Sequence, residues 1–181
     1  MEYQITTCAD DTEMHGLPNQ FRSVVDYWKD LCGPQFAPSW SDFRLDLLDP
    51  KVIPWCNVVD VIGEGKDFRY RFWGTSRHRC QSQDMTGKSV DDLTPHELAA
   101  AVRAEYHVVL MRRKPVWFDN RVIIYRQQDL GFQFLRLPLS SDGTTIDHIL
   151  GISHNRHRTL EFETTAMADL CVRHDESAAT A

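Results

Sequence analysis

Apolar positions along this chain switch between two periods, and the switches mark its elements. Phe21, Val24, Val25, Trp28, Leu31 and Cys32 recur at three- and four-residue steps, which on a helix makes one stripe. The pattern predicts a helix over 19–33, with Asn19 as its cap and Gly33-Pro34 as its stop. A second stripe, Leu98, Val102, Tyr106, Val109 and Leu110, follows Thr94-Pro95-His96-Glu97. That tetrapeptide offers an N-cap threonine, a proline at the first helical position and a glutamate three residues after the cap. Arg112, Arg113 and Lys114 suit the negative end of the helix dipole, and Pro115 closes the predicted helix at 94–113.

Elsewhere the period is two. Residues 56–62 and 67–73 read as strands joined by the turn Gly63-Glu64-Gly65-Lys66. Alternation in the second strand places Phe68, Tyr70 and Phe72 on one face and Arg69, Arg71 and Trp73 on the other. Residues 75–90 offer short helical turns broken by Gly87, and Asp91-Asp92 reads as a capping pair. Three more strands follow at 116–125, 131–139 and 145–154, the last two joined through Asp142-Gly143. Between the first helix and the first strand, Ser39 and Asp42 are cap candidates for a short turn near 43–48, and Pro50 and Pro54 punctuate the rest.

These elements give one domain at 19–154, between a loose, aperiodic tail at 1–18 and a C-terminal tail at 155–181 with a weak helical pattern. Two strands, short turns, one long helix and three strands predict an α+β fold. It is a five-stranded antiparallel sheet with helices on one face and an N-terminal helical extension. The space between sheet and helices is a natural pocket.

Local phrases add to the order of elements. DYWKDLCG at 26–33, FRYRFWGT at 68–75, DMTGKSVDDL at 84–93, and LRLPLSSDG at 135–143 followed by IDHILGI stand in sequence over roughly 21–152. Together they resemble PAS domains, and among them the single-domain PAS-like proteins common in alphaproteobacteria. The chain departs from that family at 36–40 and 132–134, which are more aromatic. The resemblance implies a sensory or interaction module that binds a small ligand or a partner in or on its sheet, and it carries no catalytic residues.

Composition narrows the partners. At 181 residues with 42% hydrophobic and 25% charged, the chain can bury a real core. A net charge of -6 counts against nucleic acid, since phosphate binding needs a positive footprint. The cationic spots, Arg69 with Arg71, residues 112–114, and Arg156 with Arg158, are short. Apolar runs such as 108–111 and 122–125 are too short to cross a bilayer, so no membrane role is expected. Glu2, Asp10, Asp11 and Glu13 leave no apolar core for a secretory signal. The expected location is cytoplasmic, and Cys8, Cys32, Cys56, Cys80 and Cys171 form no CxxC pair and read as free thiols.

Candidate chemistry is sparse. His154-x-x-His157 has a metal-like spacing, but on a strand two positions three apart face opposite ways, so no metal site is expected. His96 and His107 lie on the long helix, where haem-binding PAS domains carry an axial histidine, and Cys80 in HRCQS lacks the context of a flavin-reactive cysteine. Neither haem nor flavin is expected. A ligand site is read at Tyr70, Phe72 and Phe118 as walls, Tyr106 on the facing helix, and Arg77 or His78 as a polar anchor beside Arg79. Such a site suits a small, partly apolar molecule, a carboxylate among the options because it pairs with guanidinium.

The expected function is therefore a non-catalytic sensory or signalling module. Phe68, Phe132 and Phe134 with the wall residues could instead fill the core, leaving a pure interaction module. The helix stripe of Phe21, Val25 and Trp28 would then serve a homodimer. A small cone-shaped α+β enzyme is the other alternative, and it would need an open cavity with a buried histidine–carboxylate pair.

Overall fold

The computed structural model describes residues 2–4, 17–81, 83–124 and 128–155. Its strands are β1 (Glu2–Gln4), β2 (Cys56–Ile62), β3 (Asp67–Trp73), β4 (Val116–Ile124), β5 (Gln128–Leu139) and β6 (His148–Asn155). They form one sheet in the order β1-β4-β5-β6-β2-β3, antiparallel at every junction. The five long strands are those the alternation predicts, and the fold is α+β. The sixth, β1, lies in the stretch read as a loose tail. It pairs Glu2 with Ile123 and Gln4 with Arg121, and three residues are too few for alternation to announce a strand. Expectations for residues 5–16, Tyr125, the junction at 126–127 and the tail at 156–181 fall outside the described residues.

Helix α1 (Asn19–Cys32) lies on one face of the sheet. Its stripe packs with Val58, Leu135, Leu137, Leu150 and Ile152, and Phe21 is 0% and Trp28 5% exposed. The Trp28 indole N–H donates to the Pro138 carbonyl at 2.8 Å. Phe21, Val25 and Trp28 are thus consumed within the chain, and the expectation that they form a homodimer surface is corrected: an apolar stripe needs covering, and the chain's own sheet covers it. Asn19 does not cap the helix either. Pro18 precedes the first turn, and its carbonyl accepts from the amides of Phe21 and Arg22.

The opposite face carries α2 (Thr75–Gln81) and α3 (His96–Arg112). Ala99, Val102, Tyr106 and Val109 of α3 pack against Phe68, Tyr70, Trp73, Phe118 and Ile149. Thr94 does not cap α3, which begins at His96 after Pro95 with no side-chain cap. A capping box forms instead on the separate short turn Val90–Asp92, where the Ser89 amide donates to the Asp92 carboxylate at 2.9 Å.

Strand β3 breaks its predicted alternation. Val58 pairs with Phe72 but Val59 pairs with Tyr70, so Arg71 is one residue extra. A bulge of this kind reverses which face the following residues occupy. Phe72 turns to the α1 side, while Trp73 joins Tyr70 with ring centroids 4.7 Å apart. Arg71 turns outward and bonds Asp60 at 2.6 Å. Gly74 then lets the chain pass close under the preceding loop, since a Cβ there would stand 2.2 Å from the Pro54 carbonyl oxygen. The free edge of β3 is bridged by residues 87–89, with the Tyr70 amide donating to Lys88 and the Gly87 amide to Tyr70.

Because α1 is part of the core, Phe21→Ala is expected to cost about 3–5 kcal/mol in urea denaturation, with no change in sedimentation. A changed assembly mass at unchanged stability would return the stripe to a role between subunits.

Candidate functional site

Strand β5 reads Leu135-Arg136-Leu137, and alternation sends the leucines to α1 and the arginine into the core under α3. Arg136 is 0% exposed, so its charge must be matched inside the protein. Glu105, on the buried side of α3, supplies the match: its Oε2 accepts from Nη2 at 2.7 Å and from Nε at 3.0 Å. Asn57 of β2 accepts from Nη1 at 3.2 Å and donates through Nδ2 to the Tyr106 hydroxyl at 3.0 Å. The guanidinium lies over the rings of Tyr106 and Phe134, 4.9 and 5.1 Å from their centroids. Burial pulls the Arg136 pKa down, but Tyr106 and Glu105 outweigh it, and the group stays charged. Gly151 sits opposite Arg136 on β6, where a Cβ would stand 2.2 Å from Nη1 and 2.5 Å from Asn57 Oδ1. Only glycine leaves that space open.

Beside this network lies a second group at the α2 end. Arg77, 8% exposed, stacks on Trp73 at 4.3 Å and donates to the Ser153 hydroxyl at 2.9 Å. Gln81 stands one turn further along the same helix face and is also 8% exposed. Tyr70 is 1% exposed, and its hydroxyl lies near that of Tyr106 without a partner in good hydrogen-bond geometry. Burial, then Tyr106, push its pKa well above the ordinary value, and Arg77 and Arg136 only partly oppose them. The Trp73 indole N–H and the Gln81 carbonyl oxygen also lack partners among the described residues. Such atoms cost about 1–3 kcal/mol each when nothing meets them.

The predicted ligand residues divide accordingly. Tyr70, Tyr106 and Phe118 come together under α3, with Arg77 at the edge. Phe72 does not, because the bulge places it on the α1 side, and His78 is exposed on α2. The side chains of Arg79, Cys80 and Phe132 lie outside the described ones. Arg136, Glu105 and Asn57 were not read from the sequence. The available signal was a charge of opposite sign on each of two apolar faces: an arginine between leucines in a strand, and a glutamate beside Tyr106 on the helix stripe.

Other polar features lie elsewhere. His96 and His107 are exposed, and His107 touches the outside of Phe68 at 5.3 Å. His154 faces α1, 2.7 Å from the Gln20 amide nitrogen, and His157 lies outside the described residues. Among the described residues no group of three or more histidines, cysteines and carboxylates comes together. The histidine–carboxylate contact of His148 with Asp147 and Asp60, at 2.7 and 3.3 Å, is on the far side of β6 from the Arg136 network. An open surface cleft of ≈ 370 Å³ runs between Val61, Leu110, Arg113 and Asp147. Two of its charged groups are already engaged, Arg113 with the Thr144 carbonyl and Asp147 with the Ser141 amide.

No family model matches the chain, and no curated protein does. Among solved structures it is similar to a LOV protein of Rhodobacter sphaeroides, with 16% identity and a TM-score of 0.43 over 61% of this chain and 64% of that one. An RNA-binding light-oxygen-voltage receptor matches at 12% identity and a TM-score of 0.41, over 99% of this chain and 44% of that one. The chain thus spans less than two thirds of either protein. The PAS domain of Bordetella pertussis BvgS matches at 14% identity and a TM-score of 0.46, over 90% of this chain and 99% of that one.

Two outcomes test the geometry. Glu105→Ala leaves a buried cation unmatched and is expected to cost about 3–5 kcal/mol, whereas Glu105→Leu with Arg136→Met together is expected to recover most of that in denaturant titrations. Stability should also fall at high pH. Burial raises Cys56 from 9.0 to about 12, against the small opposing effect of Arg77, and raises Tyr70 above 10.0. Both groups stay protonated in the fold where the unfolded chain ionises. Their contribution is whole below about pH 9 and is lost as pH rises, first through Cys56 and then through Tyr70. Denaturation midpoints across that range should decline less steeply above about pH 10 in Tyr70→Phe than in the native chain.

Proposed function

We propose that the chain is a PAS-like sensory or signalling module, without catalysis, that holds a small molecule between its sheet and α3, at the end closed by α2. The observation that carries this reading is the set of buried polar atoms on Tyr70, Trp73 and Gln81 that have no hydrogen-bond partner in good geometry among the described residues, each residue being at least nine-tenths buried. Buried polar atoms in folded proteins are almost always met, and an interior that leaves several unmet at one end has room in its chemistry for an occupant. The aromatic walls contribute burial and the polar edge fixes orientation. The interior groups that could catalyse a reaction are otherwise occupied. Glu105 is held by Arg136, and the Cys56 thiol, pushed up to about 12, is a poor nucleophile near neutral pH.

A filled core is the competing reading, favoured by the complete burial of Phe68, Tyr106, Met85 and Ile149. It makes the chain a module that acts through its surface alone. Native mass spectrometry of the protein as purified separates the two. A retained mass, released on denaturation and reduced in Trp73→Phe, is expected. The bare chain mass in every preparation, with unchanged stability on adding cell-extract metabolites, would favour the filled core.

A further inference from the structure

The open cleft beside the end of α3 stands apart from the interior site and has its own chemistry. Val61 at the end of β2, Leu110 in the last turn of α3, and Ile146 in the connection between β5 and β6 give it an apolar lining. The turn Gly63–Gly65 holds one side in place: Gly65 is buried, and a Cβ there would stand 2.6 Å from Leu110 Cδ1. The polar lining divides into spent and unspent groups. Arg113 donates to the Thr144 carbonyl at 2.6 Å, and its guanidinium lies 3.9 Å from the centroid of the Phe36 ring, outside the lining. Asp147 accepts from the Ser141 amide at 3.0 Å and meets His148 at 2.7 Å, and the Thr145 hydroxyl donates to Asp142 at 2.7 Å. Glu64 is exposed and makes no hydrogen bond or ion pair with any described residue. Among the described residues, Glu64 (φ 59°) and Arg113 (φ 55°) are the non-glycine residues in the left-handed region, and both line this cleft. That conformation is unfavourable for a residue with a Cβ and gathers at functional sites.

We propose that the cleft binds a small primary amine carrying a short apolar body, an arylalkylamine or an alkylamine. The ammonium pairs with the Glu64 carboxylate, and the body lies on Val61, Leu110 and Ile146. Two carboxylates against one guanidinium make the described lining negative, and α3 ends there with its carbonyls, the negative end of the helix dipole. Both favour a cation. A carboxylate ligand would face that same field, with Arg113 already committed to Thr144 and Phe36. The volume of ≈ 370 Å³ falls at the lower end of small-molecule sites, which span about 300–1,000 Å³.

NMR titration of the full chain with phenethylamine, phenethyl alcohol and hydrocinnamate at low salt tests the assignment. The amine is expected to bind about threefold to fivefold more tightly than the alcohol, the weight of one partly exposed ion pair, and the carboxylate to bind most weakly. Methyl signals of Val61, Leu110 and Ile146 should shift on adding the amine. Glu64→Gln, a change at an exposed position, should keep the melting temperature and erase the amine's advantage. Raising the salt to about 0.5 M should narrow the same gap. An amine preference that survives in Glu64→Gln, or equal binding of amine and alcohol to the native chain, would overturn the ion pair. Shifts confined to Tyr70 and Phe118 would place the ligand in the interior and overturn the cleft. No binding of any of the three at millimolar concentration would remove the site altogether.

Discussion

A single positive charge at the centre of the sheet sets the conditions for much of what surrounds it. Arg136 has no solvent contact, and an unmatched charge there would be too costly for a fold of marginal stability to carry. Its requirements reach three separate elements. Helix α3 must present Glu105 at one height and rotation, β2 must present Asn57, and β6 must present no side chain at all at residue 151. Apolar packing alone would tolerate some sliding of α3 over the sheet. A two-point bond from one carboxylate oxygen to a guanidinium does not, so the network fixes register where the hydrophobic contacts fix only proximity.

The two faces of the sheet consequently differ in kind. Under α1 the contacts are aliphatic and aromatic with one indole hydrogen bond, and the cover is an amphipathic stripe on its own sheet. Under α3 the interior mixes rings with an ion pair, amides and hydroxyls. The bulge at Arg71 sorts the side chains of β3 between these environments. It sends Phe72 to the aliphatic face and brings Trp73 to the polar one, beside Tyr70 and Arg77. A strand in perfect alternation would have kept Trp73 away from the corner where its N–H now stands.

Much of the fold was legible because it rests on periodicity. The strand limits at 56–62 and 67–73, both long helices and the turn at Asp142-Gly143 follow from spacing and from glycine and proline. The errors share a different origin. Residues 2–4 are too few for alternation to mark them as a strand. The bulge adds one residue, and neither a glycine within β3 nor a proline marks it. The covering of the α1 stripe depends on which surface is nearest in three dimensions. The core network was visible as two charges placed where their faces are otherwise apolar. Reading it required pairing residues 31 positions apart, and local pattern offers no way to do that.

Both ends of the sheet are closed by chain from outside the main strand pattern, residues 2–4 against β4 and residues 87–89 against β3. An open edge is adhesive, because its row of amides and carbonyls accepts any strand that arrives. The first residues therefore act as a stopper. Trimming them, or hanging a bulky fusion on them, would bare the backbone of β4 to neighbouring molecules, and the damage would show as clumping in solution while the core stayed intact.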